Sequence, residues 1–357
     1  MTLWPELEAS LTRAAAHSNR AGARATTRPG RVRSRRTTLG TGLLAGAGIA
    51  AVLAVVLVGR GRDATSTAMG DPLARAARAA LDQPSLFPKD NQYFFVRTEG
   101  TEPTGMSTQS GRSINAVETL ITDRWQSADR TSLQRTRILG LRFDSAEDAA
   151  YWRANGGKKS QVGATQSDSI PPSGRYFIDI GRGELTRAQV LALPSKPQAL
   201  YAQLVPSRRR IAKILRHAPP NVRAQVAKLK TEYGSLDNYL AYAAFNAITS
   251  SFEQSPMPPA LRSAMYGALA LIPAVKSIGL DRDLVGRRGN AIEFTDHYRG
   301  IRTELIFDPN TSALLGERQT AIGKDVGFRK GSLIENLAYL DEAITNNLTV
   351  PRTNRLH

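Results

Sequence analysis

The chain has 357 residues, with 48 lysines and arginines against 31 aspartates and glutamates, a net charge of +17 and no cysteine. The length is enough for more than one domain. The missing cysteine excludes disulfides, thiolate metal sites and thiol nucleophiles.

Residues 1–36 hold eight arginines against Glu6 and Glu8. A short helical pattern starts at Pro5, and residues 22–36, rich in Arg, Thr, Gly and Pro, read as a disordered basic tail. Such a tail is attracted to anionic lipid headgroups and is a place for a cytoplasmic regulatory protein to bind. Residues 37–59 then contain no charged side chain. As a helix they would span about 34 Å, enough for a hydrocarbon core of about 30 Å. The arginines lie mainly on the N-terminal side, so the positive-inside rule predicts a cytoplasmic N-terminus and an extracytoplasmic C-terminus. The pair Arg35-Arg36 raises the alternative of a cleaved twin-arginine signal. However, the n-region is long and no clean small-x-small cleavage site follows Val58, which favours an uncleaved signal anchor in the cell membrane.

Residues 60–70 read as a linker. Asp71-Pro72 opens an alanine-rich helix with Leu73, Ala76, Ala77 and Ala80 on one face. Residues 93–98 are a strand, and residues 115–126 and 131–139 form a hairpin with one wet face. A charged helical piece (145–153) precedes a Gly- and Ser-rich loop (155–174) and a strand at 175–180. The period then changes. Helices are expected at 186–193, 198–205, 208–217, 221–233, 236–251 and 259–271. The clearest stripes are Leu240, Ala243, Ala244 and Ala247 in one, and Leu261, Met265, Leu269 and Ile272 in another. Strands return at 290–295, 303–307 and 314–319, with a turn at Asp308-Pro309-Asn310-Thr311. The expected organisation is a strand-rich part (71–183), a helical lobe (184–272) and a C-terminal β-meander (273–350) that completes the sheet. The fold class is α+β: an exported domain with a curved antiparallel sheet and a helical insert.

The block GRRGNAIEF followed by RTELIFDPNTSALLGER, with the segment from Pro258 to Pro273 before it, resembles an uncharacterised actinobacterial family of single-pass membrane proteins. Members look like this chain in having a basic tail, one membrane helix and an exported domain ending in this meander. Their genes often neighbour those of alternative sigma factors, so the resemblance implies a link to sigma-factor or envelope-stress regulation. It implies no activity. More loosely, the pattern looks like periplasmic lipoprotein-carrier and sigma-regulator folds.

No catalytic constellation stands out. His217, His297 and His357 lack a paired ligand motif, and GxSxG, P-loop and dinucleotide fingerprints are missing. Glu293, Asp296, Glu304 and Asp308 read as solvated sheet positions, with cross-strand ion pairs as the role of Arg302 and Glu304. No cofactor, metal or specific nucleic acid is expected. Arg208, Arg209, Arg210, Lys213 and Arg216 form the one marked basic patch after the tail, with Ile211, Ile214 and Leu215 on its other side. That patch suits contact with anionic lipid or wall polymer. The expected function is a non-enzymatic, membrane-anchored extracytoplasmic sensor or binding domain, with an apolar ligand as one partner. A structural envelope protein is the alternative, and an exported hydrolase the weakest reading.

Overall fold

Asp71 starts the first helix, α1 (Pro72–Leu81), by accepting a hydrogen bond from the Leu73 amide at 3.0 Å, with proline in the first turn where no amide is needed. Leu73, Ala76 and Ala80 are buried along one side. The computed structural model describes residues 71–107, 113–143, 145–155, 162–178, 184–323 and 330–351. The expected tail, membrane segment and linker (1–70) lie outside the described residues. Among the described residues no helix is long and apolar enough to cross a membrane.

The structure is α+β, with a large antiparallel sheet and several helices. Strands β1 (Tyr93–Ser107), β2 (Ser113–Gln126) and β3 (Ser132–Phe143) form a meander, and a short helix α2 (Ala146–Ala154) leads to β4 (Thr165–Ile170). A small hairpin follows, β5 (Tyr176–Phe177) with β6 (Glu184–Leu185). The helical segment comprises α3 (Arg187–Leu191), α4 (Pro197–Leu204), α5 (Arg208–Arg216), α6 (Pro220–Glu232), α7 (Leu236–Gln254) and α8 (Pro259–Leu269). A second meander closes the fold: β7 (Val275–Arg282), β8 (Arg288–Asp296), β9 (Ile301–Phe307), β10 (Leu314–Ala321) and β11 (Leu333–Thr345). The two meanders join through β1 and β11, giving the order β4-β3-β2-β1-β11-β10-β9-β8-β7.

The expected loop at 155–174 is corrected: it contains β4. This edge strand is polar on both faces, so it carries no apolar alternation, and the backbone ladder to β3 holds it. Of the strand expected at 175–180, Tyr176 and Phe177 form β5 and residues 179–180 lie outside the described residues, while β1 runs nine residues past its expected end at Thr98. Strands β7 and β11 add to the expected C-terminal meander. The expected helices in the middle of the chain are present.

The main core lies between the sheet and the helices. Leu261, Met265, Leu269 and Ile272 are all buried there, together with Phe94, Val96, Ile292, Phe294, Leu305 and Phe307 from the strands. Phe245 of α7 stacks on Phe294 at 4.5 Å, and Tyr266 of α8 stacks on Phe252 at 4.6 Å. The Tyr266 hydroxyl donates to the Ser312 carbonyl at 2.5 Å, so this buried phenol is satisfied. Arg262 of α8 pairs with Glu342 of β11 at 3.1 Å, and both side chains are nearly buried. Removing one partner would strand the other charge, at a cost of about 3–5 kcal/mol.

Bulges interrupt the ladders at Arg97/Thr98 and between Leu314 and Gly316. Arg287, held by Asp283 at 2.6 Å, donates to the carbonyls of Leu315 and Tyr339 at 2.9 and 2.8 Å. It thus satisfies backbone acceptors beside the irregular pairings. The missing side chain of Gly316 leaves room for Asp283, whose Cβ would lie 2.8 Å from an added Cβ.

Gly267 on α8 decides between two opposed effects. Alanine favours a helix by about 1 kcal/mol over glycine. An added Cβ, however, would meet Cγ and Cβ of Pro197 at 2.4 and 2.7 Å, and that ring is rigid. Overpacking costs about 1–3 kcal/mol, so the clash wins. Gly267→Ala should lower the denaturation midpoint, with a net loss of about 1–2 kcal/mol. An unchanged or higher midpoint would show that α4 moves aside without cost.

Candidate functional site

Helical periodicity places Tyr242, Phe245, Asn246, Thr249, Ser250 and Glu253 on one side of α7, facing the sheet. Opposite them, the period-two alternation of the strands presents Val96 and Thr98 from β1, Thr122 and Arg124 from β2, Thr303 from β9, Glu317 and Gln319 from β10, and Glu335, Leu337 and Tyr339 from β11. Helix and sheet do not meet over this stretch. They leave a cleft of about 300 Å³, at the small end of the range for ligand sites. Gly100 helps shape the nearby sheet, because a side chain there would meet Leu337 at 2.4 Å.

One end of the cleft is closed by groups that pack on one another, with Asp296 Oδ2 left without a partner. Asp296 accepts hydrogen bonds from the amides of Tyr298 and Arg299 at 3.0 Å each. The Arg299 guanidinium donates to the Tyr242 hydroxyl and lies over its ring, 5.1 Å from the centroid. Tyr233 stacks on Tyr242 at 5.4 Å and contacts Tyr239 and Tyr298. This end is a packed aromatic wall.

The other end carries the charge. Glu253, Glu317, Glu335 and Tyr339 gather there with Arg124. Glu317 Oε1 accepts from Gln319 Nε2 at 2.7 Å, while Oε2 has no donor as long as both neighbouring carboxyls are ionised. Glu253 contacts Glu317 carboxyl to carboxyl, a hydrogen bond that requires a shared proton. Burial, then repulsion from Glu317, holds the Glu253 proton well above the usual carboxylate range. Burial, then Glu317 and Glu102, pushes Glu335 up to about 8. Burial beside Glu118 brings Glu102 to about 7. The Arg124 guanidinium is pulled down by burial and supported by Tyr339 and Glu253. Its Nε donates to Gln134 at 3.2 Å.

Two residues read as solvated are corrected. Glu304 and Asp296 are 5% and 8% exposed, because the back of the sheet and the β8–β9 turn are packed. Glu304 pairs with Arg302 at 2.9 Å and, across strands, with Arg318 at 3.1 Å, so its ion-pair role stands. Among the described residues no three His, Asp or Glu side chains are placed to hold a metal ion. His217 and His297 are exposed on separate elements.

The basic patch lies on α5, away from the cleft. Arg209, Lys213 and Arg216 are exposed, and Arg208 pairs with Asp237 at the start of α7. The side chain of Arg210 lies outside the described residues. Ile214 and Leu215 turn inward onto a small satellite core of Val222, Val226 and Leu229. The apolar side of α5 is therefore occupied within the chain, leaving its charged face outward. Glu253, Glu335 and Tyr339 escaped the sequence reading because they are split between α7 and β11 with no local motif.

No protein-family model, curated protein or solved structure matches the chain.

The raised carboxyls set a pH dependence. Glu335 moves from an ordinary value of 4.5 to about 8. Below pH of about 4.5 both the folded and unfolded chains hold its proton, and its contribution to stability is complete. As pH rises through about 8 the folded form must ionise a recessed carboxyl, and that stability is lost. Because water reaches the cleft, the effect is set at about 1–2 kcal/mol. Glu335→Gln should therefore be more stable than the parent by that amount at about pH 9, and nearly equal at about pH 5. Parallel stability curves for the two proteins would remove the recessed carboxyl as the cause.

Proposed function

We propose that this chain is a membrane-anchored extracytoplasmic binding domain, which holds a small ligand between α7 and the sheet. The observation that carries the reading is the cleft itself. Helix and sheet pack tightly on one side of it, yet leave about 300 Å³ lined by recessed polar groups. A purely structural domain gains nothing from such a gap, since filling it with apolar side chains would add burial. The polar floor favours a polar occupant over an apolar one. The charge-free run at 37–59 and the arginines before it support the anchor and the outward orientation. The family resemblance supports a regulatory setting, with occupancy of the cleft passed to a cytoplasmic partner through the basic tail.

Asn246→Trp tests the site, because the larger side chain on α7 would fill the cleft. A library of small polar molecules is screened for stabilisation of the parent in detergent. A ligand at a hundred times its dissociation constant adds about 2.7 kcal/mol to stability. That gain should be present in the parent and absent from the filled variant. Equal stabilisation of both would place binding elsewhere. Topology is tested separately: a reporter active only outside the cell should work when fused at His357 and fail near Arg20.

The exposed cations of α5 favour a second reading, contact of this face with anionic lipid or wall polymer. Replacing Arg208, Arg209, Arg210, Lys213 and Arg216 by glutamine should weaken vesicle binding, by up to about 1 kcal/mol per cation at low salt. The difference should vanish as the Debye length falls from about 8 Å to about 3 Å at 1 M salt. Equal binding at low salt would leave α5 an ordinary solvated helix.

A further inference from the structure

The charged end of the cleft is anomalous in a chain of net charge +17. Three carboxyls, Glu253, Glu317 and Glu335, face a single guanidinium, Arg124, across the cleft. Two groups there are more than nine-tenths buried, and each keeps one oxygen without a donor among the described residues. Glu317 is 4% exposed with Oε2 unpaired, and Tyr339 is 4% exposed with its hydroxyl unpaired. Both line the open volume, and the Tyr339 ring also packs against the main core. An unsatisfied buried polar group costs about 1–3 kcal/mol. Leucine or phenylalanine at these positions would remove that cost, so the acceptors stand where a donor from outside can reach them.

We propose that this end of the cleft binds the ammonium or guanidinium head of a small organic cation, in exchange for the proton that Glu253 and Glu317 share. The proposal rests on the cleft being a binding site and names the class of its occupant. An ammonium group brings three donors and no acceptor. Its natural partners are the unpaired oxygen of Glu317, the carboxylate of Glu253 and a lone pair of the Tyr339 hydroxyl. When the cation enters, the carboxyl proton leaves to solvent, so one positive charge replaces another and the floor stays balanced.

Other occupants fit less well. A divalent metal needs several converging ligands, and no such group of three exists among the described residues. An anion would meet three carboxyls and only one arginine. A neutral molecule would leave the carboxylates unpaired once ionised. The apolar wall of Val96, Phe245, Phe294 and Leu337 provides for a short alkyl stem. A volume of about 300 Å³ equals about ten water molecules of liquid, which limits the ligand to a few carbons. Release of the proton makes binding pH-dependent. The groups that face it are Glu253 of α7, Glu317 of β10, Glu335 and Tyr339 of β11, Arg124 of β2 and, more distantly, Glu102 of β1.

The test is calorimetry on the full chain in detergent micelles, using n-butylammonium and 1,4-diaminobutane as probes. Butan-1-ol, butyrate and magnesium chloride serve as controls. The amines should bind at least about tenfold more tightly than the alcohol, the factor expected for a charge-assisted contact. Affinity should rise from about pH 6 to about pH 9 as the carboxyls ionise. Binding heat should vary with the ionisation enthalpy of the buffer, because a proton is released. Glu317→Gln should weaken the amines by about tenfold or more. Tyr339→Phe removes only the hydroxyl, keeps the packing, and should weaken them by a smaller factor. The control Lys230→Gln, at an exposed cation of α6, should change nothing. Equal binding of alcohol and ammonium would overturn the cation and leave the cleft reading standing. So would tighter binding of butyrate, competition by magnesium alone, or no amine binding by a folded parent. Amine binding undiminished in Asn246→Trp would overturn the cleft reading as well.

Discussion

Every feature of the cleft depends on the pairing of β1 with β11. These strands lie about 240 residues apart in the chain, and their ladder runs in register from Tyr93 with Thr345 to Thr101 with Asn336. It fuses two meanders into one sheet and places Arg124 and Thr98 beside Glu335 and Tyr339. Closing so long a loop costs conformational entropy and slows folding, because the gain comes only once the strands have met. Packing of α8 offsets that cost. Arg262 reaches Glu342 on β11, and the Tyr266 ring packs at a tilt against Phe307 on β9, 5.4 Å between centroids. The helix thereby fixes the second meander at the same time as the seam.

The irregularities of the sheet follow from the same seam. At Arg97/Thr98 the ladder slips by one residue, which would reverse the facing of all that follows in an unbulged strand. The bulge lets Phe94 and Val96 face the helices while Thr98 and Tyr339 still open on the cleft. Arg287 donates to the Tyr339 carbonyl next to this slip and to Leu315 at the slip in β10. One half-buried guanidinium thus serves both. At the far edge, β7 is mostly exposed, bulged between Ser277 and Gly279 and marked by Lys276, features that discourage pairing with a second sheet.

Much of the fold was legible because local and tertiary preferences agree. Asp71-Pro72 caps α1, the Leu261 stripe faces the core, and the turn at Asp308 joins β9 to β10. Where they disagree, the sequence misleads. The segment Leu333–Thr345 is rich in Leu, Ala and Glu, residues that suit a helix, and becomes a strand only because β1 and β10 flank it. Strand β4 is polar on both faces, so its ladder with β3 is its only signal. The cleft was less legible still. Alternation puts Glu317 and Gln319 on one face of β10, and nothing local shows that α7 covers that face. Glu253 ends a helix whose visible stripe is the alanine side, away from any chemical motif.

The cleft floor is where unmet polar groups of like charge gather around one open volume. Several buried groups elsewhere are paired: Tyr266 with Ser312, Arg262 with Glu342, Asp283 with Arg287. At the floor, carboxyls crowd until one must keep its proton, and a tyrosine hydroxyl is left without a partner. Consistency across local pattern, packing and polar satisfaction is what makes a sequence fold to one structure, and natural proteins break it mainly where function requires. At the floor these groups come together from three elements, α7, β10 and β11, around one open volume. A ligand that supplies positive charge and donors would satisfy these groups together. Binding would then stabilise the folded chain through the same groups that weaken it when the cleft is empty, which couples occupancy directly to the stability of the α7–sheet contact.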